Sequence, residues 1–171
     1  KLLALFSPVM LLIGVMIGVY KFKYLDIYHR GITIYFVMLL VIDIASRFLH
    51  TGKNLFILLI YSLLELIIFI YFYYKYVYKR HHILLLVMSF LSITYLIYEI
   101  VIFEFETKKF QTYSKVVDNF TIVMLILTFF HERINLFKDS KSDNFRLNVV
   151  LLVFFSINLV FFLPYNFLIN E

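Results

Sequence analysis

The chain has no cysteine, only four glycines and two prolines, and little charge for its 171 residues, with Asp, Glu, Lys and Arg making up 16%. Without cysteine there are no disulfides, thiolate metal sites or cysteine nucleophiles, and nothing marks a redox compartment. With so little glycine and proline there is no flexible linker and no low-complexity segment. Pro8 and Pro164 fall near the ends of apolar runs, so the Gly/Pro-broken spans that mark many transporters are missing. The motifs GxSxG, GxGxxG and the P-loop do not occur, nor does a paired-aspartate signature of phosphate transfer. The sequence therefore reads as non-enzymatic.

What is present is apolar. Hydrophobic residues make up 63% of the chain and aromatics 20%. Soluble domains are nearer half apolar and about a quarter charged, so a bilayer is the fitting solvent and lipid the first partner. About twenty apolar residues, rising about 1.5 Å each, cross a hydrocarbon core of roughly 30 Å. Six segments qualify: Leu2–Tyr20, Ile32–His50, Leu55–Tyr76, Ile83–Phe103, Val116–Phe137 and Leu147–Ile169. Lipid cannot satisfy an open backbone, so the spans are helices. They lack the alternation of a membrane β-barrel. The expected fold is all-α: one polytopic domain over residues 1–171, a bundle of six transmembrane helices with antiparallel neighbours and short loops. Gly52 suits a C-cap between the second and third spans. The Lys138–Asp143 stretch is the most polar loop.

The chain starts at Lys1 without methionine, consistent with processing or truncation. Its first run is as long as the others and has no small-residue cleavage signal, so it reads as a span. The +5 formal charge sits between the spans, which favours topology and headgroup contact over nucleic-acid binding. The first, third and fifth loops with their helix ends carry ten Lys and Arg. The opposite side carries six, Lys115 among them. The positive-inside rule then places the odd-numbered loops in the cytoplasm of a bacterial-type inner membrane and both ends outside. A seventh helix after Glu171 would return the C-terminus to the cytoplasm. Gly14 and Gly18 form a GxxxG, which permits close helix approach within the bundle or to another membrane chain.

The interruptions of the spans carry the functional signal, because a charge at membrane depth costs on the order of 2.5–3.5 kcal/mol even on the lenient insertion scale. Asp43, Ser46, Arg47 and His50 share one face of the second span, where Asp43 and Arg47 can pair. Glu65 is the deepest charge. Tyr61 lies one turn before it and Ser62 alongside, and nothing in its own span neutralises it. Arg47, across a short loop, is its expected partner. In the fourth span Glu99 continues a stripe of Ser92 and Tyr95. Asp118 and Asn119 start the fifth span, where a carboxylate also suits a helix N-terminus, and Asn158 interrupts the sixth. Glu65 maps to mid-depth and the others to the outer half. The expectation is a polar, outward-facing pocket for a ligand, lined by Asp43, Arg47, Tyr61, Glu65, Tyr95, Glu99 and Asn158. Each of these polar residues could equally tie helices together.

His29, His81, His82, His131, Glu132 and Arg133 form a second polar group on the other side. Their spacing is not that of a metal site, and no mid-span histidine could hold a haem. Interfacial solvation is the reading, with no metal and no cofactor. The tyrosines at span ends, Tyr71 to Tyr78 above all, fit an aromatic belt.

Asn54, Tyr61 and Glu65, followed by the aromatic run Tyr71–Tyr74, resemble a pattern in multi-pass bacterial membrane modules. There a span reads roughly N-x-x-x-x-x-x-Y-x-x-x-E. The Asp143-Asn144-Phe145 stretch before the last span is similar to a further feature of these modules. Some of them precede a cytoplasmic histidine kinase and act as membrane sensors. The resemblance implies a sensing module in which Tyr61 and Glu65 matter, although this chain carries no kinase domain. The competing readings are an accessory subunit of a larger membrane complex and a small transporter with Glu65 as its coupling carboxylate.

Overall fold

The computed structural model describes residues 2–48, 54–103, 113–135 and 144–170, with side chains over 8–46, 56–102, 113–134 and 144–164. Six α-helices and no strand occur among these residues: α1 (Leu2–Tyr20), α2 (Ile27–Phe48), α3 (Asn54–Phe72), α4 (Ile83–Phe103), α5 (Tyr113–Asn135) and α6 (Phe145–Asn170). Five apolar segments are long enough to cross a membrane: Ile27–Ser46, Phe56–Val77, Ile83–Ile102, Tyr113–Ile134 and Phe145–Pro164. In α1 the corresponding stretch is the shorter Pro8–Tyr20. Large apolar side chains point outward along these helices, with Leu84 87% exposed. Such surfaces are stable only against lipid or other apolar chains. The described residues are all-helical and carry the long apolar helices of a multi-pass membrane protein.

The helices fall into two compact units, Lys1–Ile57 and Leu58–Glu171. In the first unit α1 packs on α2. A Cβ built on Gly18 would stand 2.7 Å from Thr33 Cγ2, so glycine is what lets the helices meet there, whereas one built on Gly14 would meet Phe36 at an ordinary 3.8 Å. A short 3-10 turn, Phe22–Tyr24, leads out of α1. Arg30 holds this turn by donating to the carbonyls of Leu25 (2.8 Å) and Lys23 (3.1 Å), with its guanidinium over the Phe22 ring. Asp26 caps α2: its Oδ1 accepts the His29 backbone N–H at 3.0 Å and contacts the His29 ring. The helix therefore starts at Ile27, five residues before the apolar run that marks it in the sequence. The start of a helix is set by its cap, while hydropathy reads only depth in lipid.

In the second unit α5 packs against α4 and α6. Its inner stripe of Ile122, Leu125, Ile126 and Phe129 repeats every three or four residues and is fully buried. On α3 and the π-helical turn that follows it, Leu66, Phe69 and Tyr73 form the matching stripe. The Phe69 ring meets Phe155 of α6 edge-on at 5.0 Å, and Tyr73 donates to Asn148 Oδ1 of α6 at 2.5 Å. Asn144 precedes α6 at φ 76°, a left-handed conformation that asparagine tolerates, and its carbonyl accepts both the backbone N–H and Nδ2 of Asn148.

α3 ends in a π-helical turn, Tyr73–Val77, closed by the Tyr78 N–H on the Tyr73 carbonyl at 2.9 Å. Gly52, His50 and the polar loop Lys138–Asp143 lie outside the described residues.

Candidate functional site

The deepest polar group of the second unit is built from one face of α3 and one of α5. On α3, Tyr61, Ser62 and Glu65 stand within one turn of each other. On α5, Lys115, Asp118 and Asn119 stand at i, i+3 and i+4, so all three share a face. Both faces are shut off from solvent: Ser62, Glu65, Asp118 and Asn119 are 0% exposed.

Lys115 joins the two helices. Its ammonium donates to Glu65 Oε2 and, at 2.6 Å, to Asp118 Oδ2. It also sits 4.3 Å from the centroid of the Tyr61 ring, a cation–π contact. The Tyr61 hydroxyl donates to the other Glu65 oxygen, Oε1, at 2.5 Å. Two carboxylates and an aromatic face thus surround one ammonium whose side chain is 4% exposed. A lysine near a span end ordinarily snorkels toward the headgroups. This one turns inward, because the uncompensated Glu65 charge would cost more than burying the amine beside it.

Four polar atoms in this group have no hydrogen-bond partner among the described residues: Ser62 Oγ, Asp118 Oδ1, Asn119 Oδ1 and Asn119 Nδ2. They include acceptors, an amide donor and a hydroxyl that can do both. Buried polar groups are nearly always satisfied, and each exception costs roughly 1–3 kcal/mol unless something outside the chain meets it.

A second group lies beside the first. The Glu99 carboxylate of α4 accepts from the Tyr95 hydroxyl, from the Ser114 hydroxyl and, at 2.9 Å, from the Ser114 backbone N–H. Ser114 is in the first turn of α5, so Glu99 caps that helix from a neighbouring one. Ser92 and Thr121 share a hydrogen bond of 2.8 Å further along the same helix pair. Ser114 and Lys115 are consecutive, so the start of α5 serves both groups.

Of the residues singled out from the sequence, Tyr61 and Glu65 share the first group and Tyr95 and Glu99 the second. Asn158 is half-buried on α6, one turn beyond Phe155, and has no hydrogen bond among the described residues. Asp43 belongs to the first unit, half-buried on α2, where the Ser46 hydroxyl donates to its carbonyl at 2.8 Å. Arg47 lies in α2, but its side chain is outside those described, and so is the pairing with Glu65 expected of it. The cation found on Glu65 is Lys115. The apolar run of the fifth span begins at Val116 and leaves Lys115 in the preceding loop, whereas α5 starts at Tyr113. The i, i+3 spacing of Lys115 to Asp118 was the available signal. Asp118, read as a helix-terminus carboxylate, is instead an ion-pair partner.

The histidine-rich end is also more ordered than solvation implies. Glu132 is buried and accepts from His82 Nε2 at 2.8 Å and from the backbone N–H of Arg80 at 3.2 Å, with that of Lys79 at 3.4 Å. Tyr78 donates to the Leu125 carbonyl at 2.6 Å, and burial pushes its phenol well above the ordinary range. Among the described residues no set of three or more His, Asp or Glu is grouped to hold a metal ion.

No family model matches the chain, and no curated protein or solved structure is similar to it at a meaningful level.

Proposed function

We propose that this chain is a non-enzymatic, six-span membrane module that binds a small polar ligand between α3 and α5 and passes on its occupancy, as a sensor does. The observation that supports this reading most is the set of unpartnered polar atoms on Ser62, Asp118 and Asn119, fully buried beside a charge cluster. Lipid cannot hydrogen-bond to them, so a polar guest is what would offset their burial. Lys115, Glu65 and Tyr61 would form the wall of the site and fix its charge. On this reading α1 is the sixth span, the odd-numbered loops are cytoplasmic and the membrane is a bacterial inner membrane. The resemblance of the Asn54–Tyr61–Glu65 pattern to sensor-kinase modules points the same way.

A second reading has its own support. Glu65 and Lys115 meet each other directly, as expected of charges that merely tie α3 to α5 in an accessory subunit of a larger complex. One experiment separates the two. The parent and an Asn119→Leu variant are purified in lipid nanodiscs, and the bound small molecules are extracted and identified by mass spectrometry. The ligand reading expects a polar species held by the parent and lost from the variant. The structural reading expects identical extracts and a more stable variant, since an orphan amide has been removed.

A further inference from the structure

We infer that the turn between α3 and α4 is a docking site for the headgroup of an anionic phospholipid, formed by Lys79, Arg80 and His81. All three side chains are exposed. Their outward direction is imposed from below. The buried Glu132 carboxylate takes the backbone N–H groups of Lys79 and Arg80 and the ring of His82. Tyr78 anchors one side of the turn on the Leu125 carbonyl, and Tyr74 anchors the other by donating to the His82 carbonyl at 2.9 Å. The turn is thus fastened through its backbone, and its basic side chains remain for a partner. Glu132, the carboxylate at this turn, faces inward, and among the described residues no ion pair engages Lys79 or Arg80.

The surroundings select the partner. The basic triplet is followed directly by Ile83 and Leu84, 77% and 87% exposed, and Tyr71 on the preceding helix is 55% exposed. Lys75 lies over the Tyr71 and Tyr76 rings and donates to the Tyr71 hydroxyl, adding a further cation on the helical turn just before this one. A soluble anion would meet only the charges. A phospholipid meets both parts, with its phosphate on the cations and its acyl chains against the bare apolar residues next to them. This inference is independent of the ligand site between α3 and α5.

The chain has no tryptophan, so a Tyr71→Trp variant carries a single reporter at this turn. It is reconstituted in phosphatidylcholine bilayers containing either dibrominated phosphatidylglycerol or dibrominated phosphatidylcholine, and quenching is compared. The brominated anionic lipid is expected to quench more strongly. Adding Lys79→Gln and Arg80→Gln is expected to reduce the preference, by roughly fivefold for each basic residue removed, while soluble glycerol phosphate leaves it unchanged. Equal quenching by the two lipids, or a preference that survives the double substitution, overturns the inference. Loss of the preference on adding glycerol phosphate also overturns it, since the site would then be one for soluble anions.

Discussion

Lys115 reaches from the first turn of α5 into the buried interior of the second unit, where its ammonium meets Glu65 and lies 4.3 Å from the Tyr61 ring centroid. Two residues fifty positions apart in the chain thus solve each other's problem. Either charge alone, at that burial, would carry a penalty of several kcal/mol. Together, with Asp118 and the Tyr61 hydroxyl, they hold α3 at a fixed height against α5. On the same two faces Ser62 Oγ, Asp118 Oδ1 and the Asn119 amide stay buried without a hydrogen-bond partner among the described residues.

Glu99 is expected to act through the start of α5. A Glu99→Gln substitution keeps the shape but removes the charge from the Ser114 hydrogen bonds. It is expected to lower stability by about 1.5–3 kcal/mol, measured by thermal unfolding in nanodiscs. Ser114→Ala leaves the backbone N–H bond to Glu99 and is expected to cost only about 1 kcal/mol. Equal losses would mean that Glu99 does not cap the helix.

Gly18 and Gly14 are expected to respond oppositely to alanine. At Gly18 the new methyl would stand 2.7 Å from Thr33 Cγ2, and overpacking of this kind costs about 1–3 kcal/mol. At Gly14 there is room, and alanine's better helix propensity should leave stability unchanged or raised by up to about 1 kcal/mol. Helix–helix distance between α1 and α2, read by double spin labels, should increase only in Gly18→Ala.

Asp26 gives the first unit a predictable acid sensitivity. Partial burial alone would raise its carboxyl, but the hydrogen bonds and charge of His29 outweigh burial and hold it below the ordinary 3.8. A carboxyl depressed in the folded state contributes stability that is fully present above that ordinary value and is lost as pH falls through the folded one. Unfolding temperature should be insensitive to this group at neutral pH and fall below about pH 4, and Asp26→Asn should remove that acid-side slope. An unchanged slope in the variant would place the acid sensitivity elsewhere.

The helices were legible, five of them long and apolar enough to cross a membrane, because lipid imposes length and apolarity on a helix regardless of its neighbours. The expected limits Leu2–Tyr20 and Ile83–Phe103 coincide with α1 and α4. The polar stops were not, because a cap such as Asp26 or a buried lysine near a helix start looks like loop in a hydropathy reading. Tyr61 and Glu65 stood out as an isolated acid with a hydroxyl one turn before it, and they do meet. Their cation did not stand out, because finding it required knowing that α5 begins three residues earlier and that Lys115 turns inward. The Tyr73–Asn148 bond and the Glu132 anchor have no local signature, since they depend on which helix ends the tertiary packing brings together.

The coupling between Glu65 and Lys115 is the interaction on which the buried group between α3 and α5 most depends. A double-mutant cycle with Glu65→Gln, Lys115→Met and the pair of substitutions, followed by reversible unfolding in nanodiscs, measures that coupling. Each single variant is expected to lose about 3–5 kcal/mol, with the double variant recovering much of it, for a coupling of about 2 kcal/mol or more. Additive losses, with a coupling below about 0.5 kcal/mol, would contradict the buried pair and with it the site built around it.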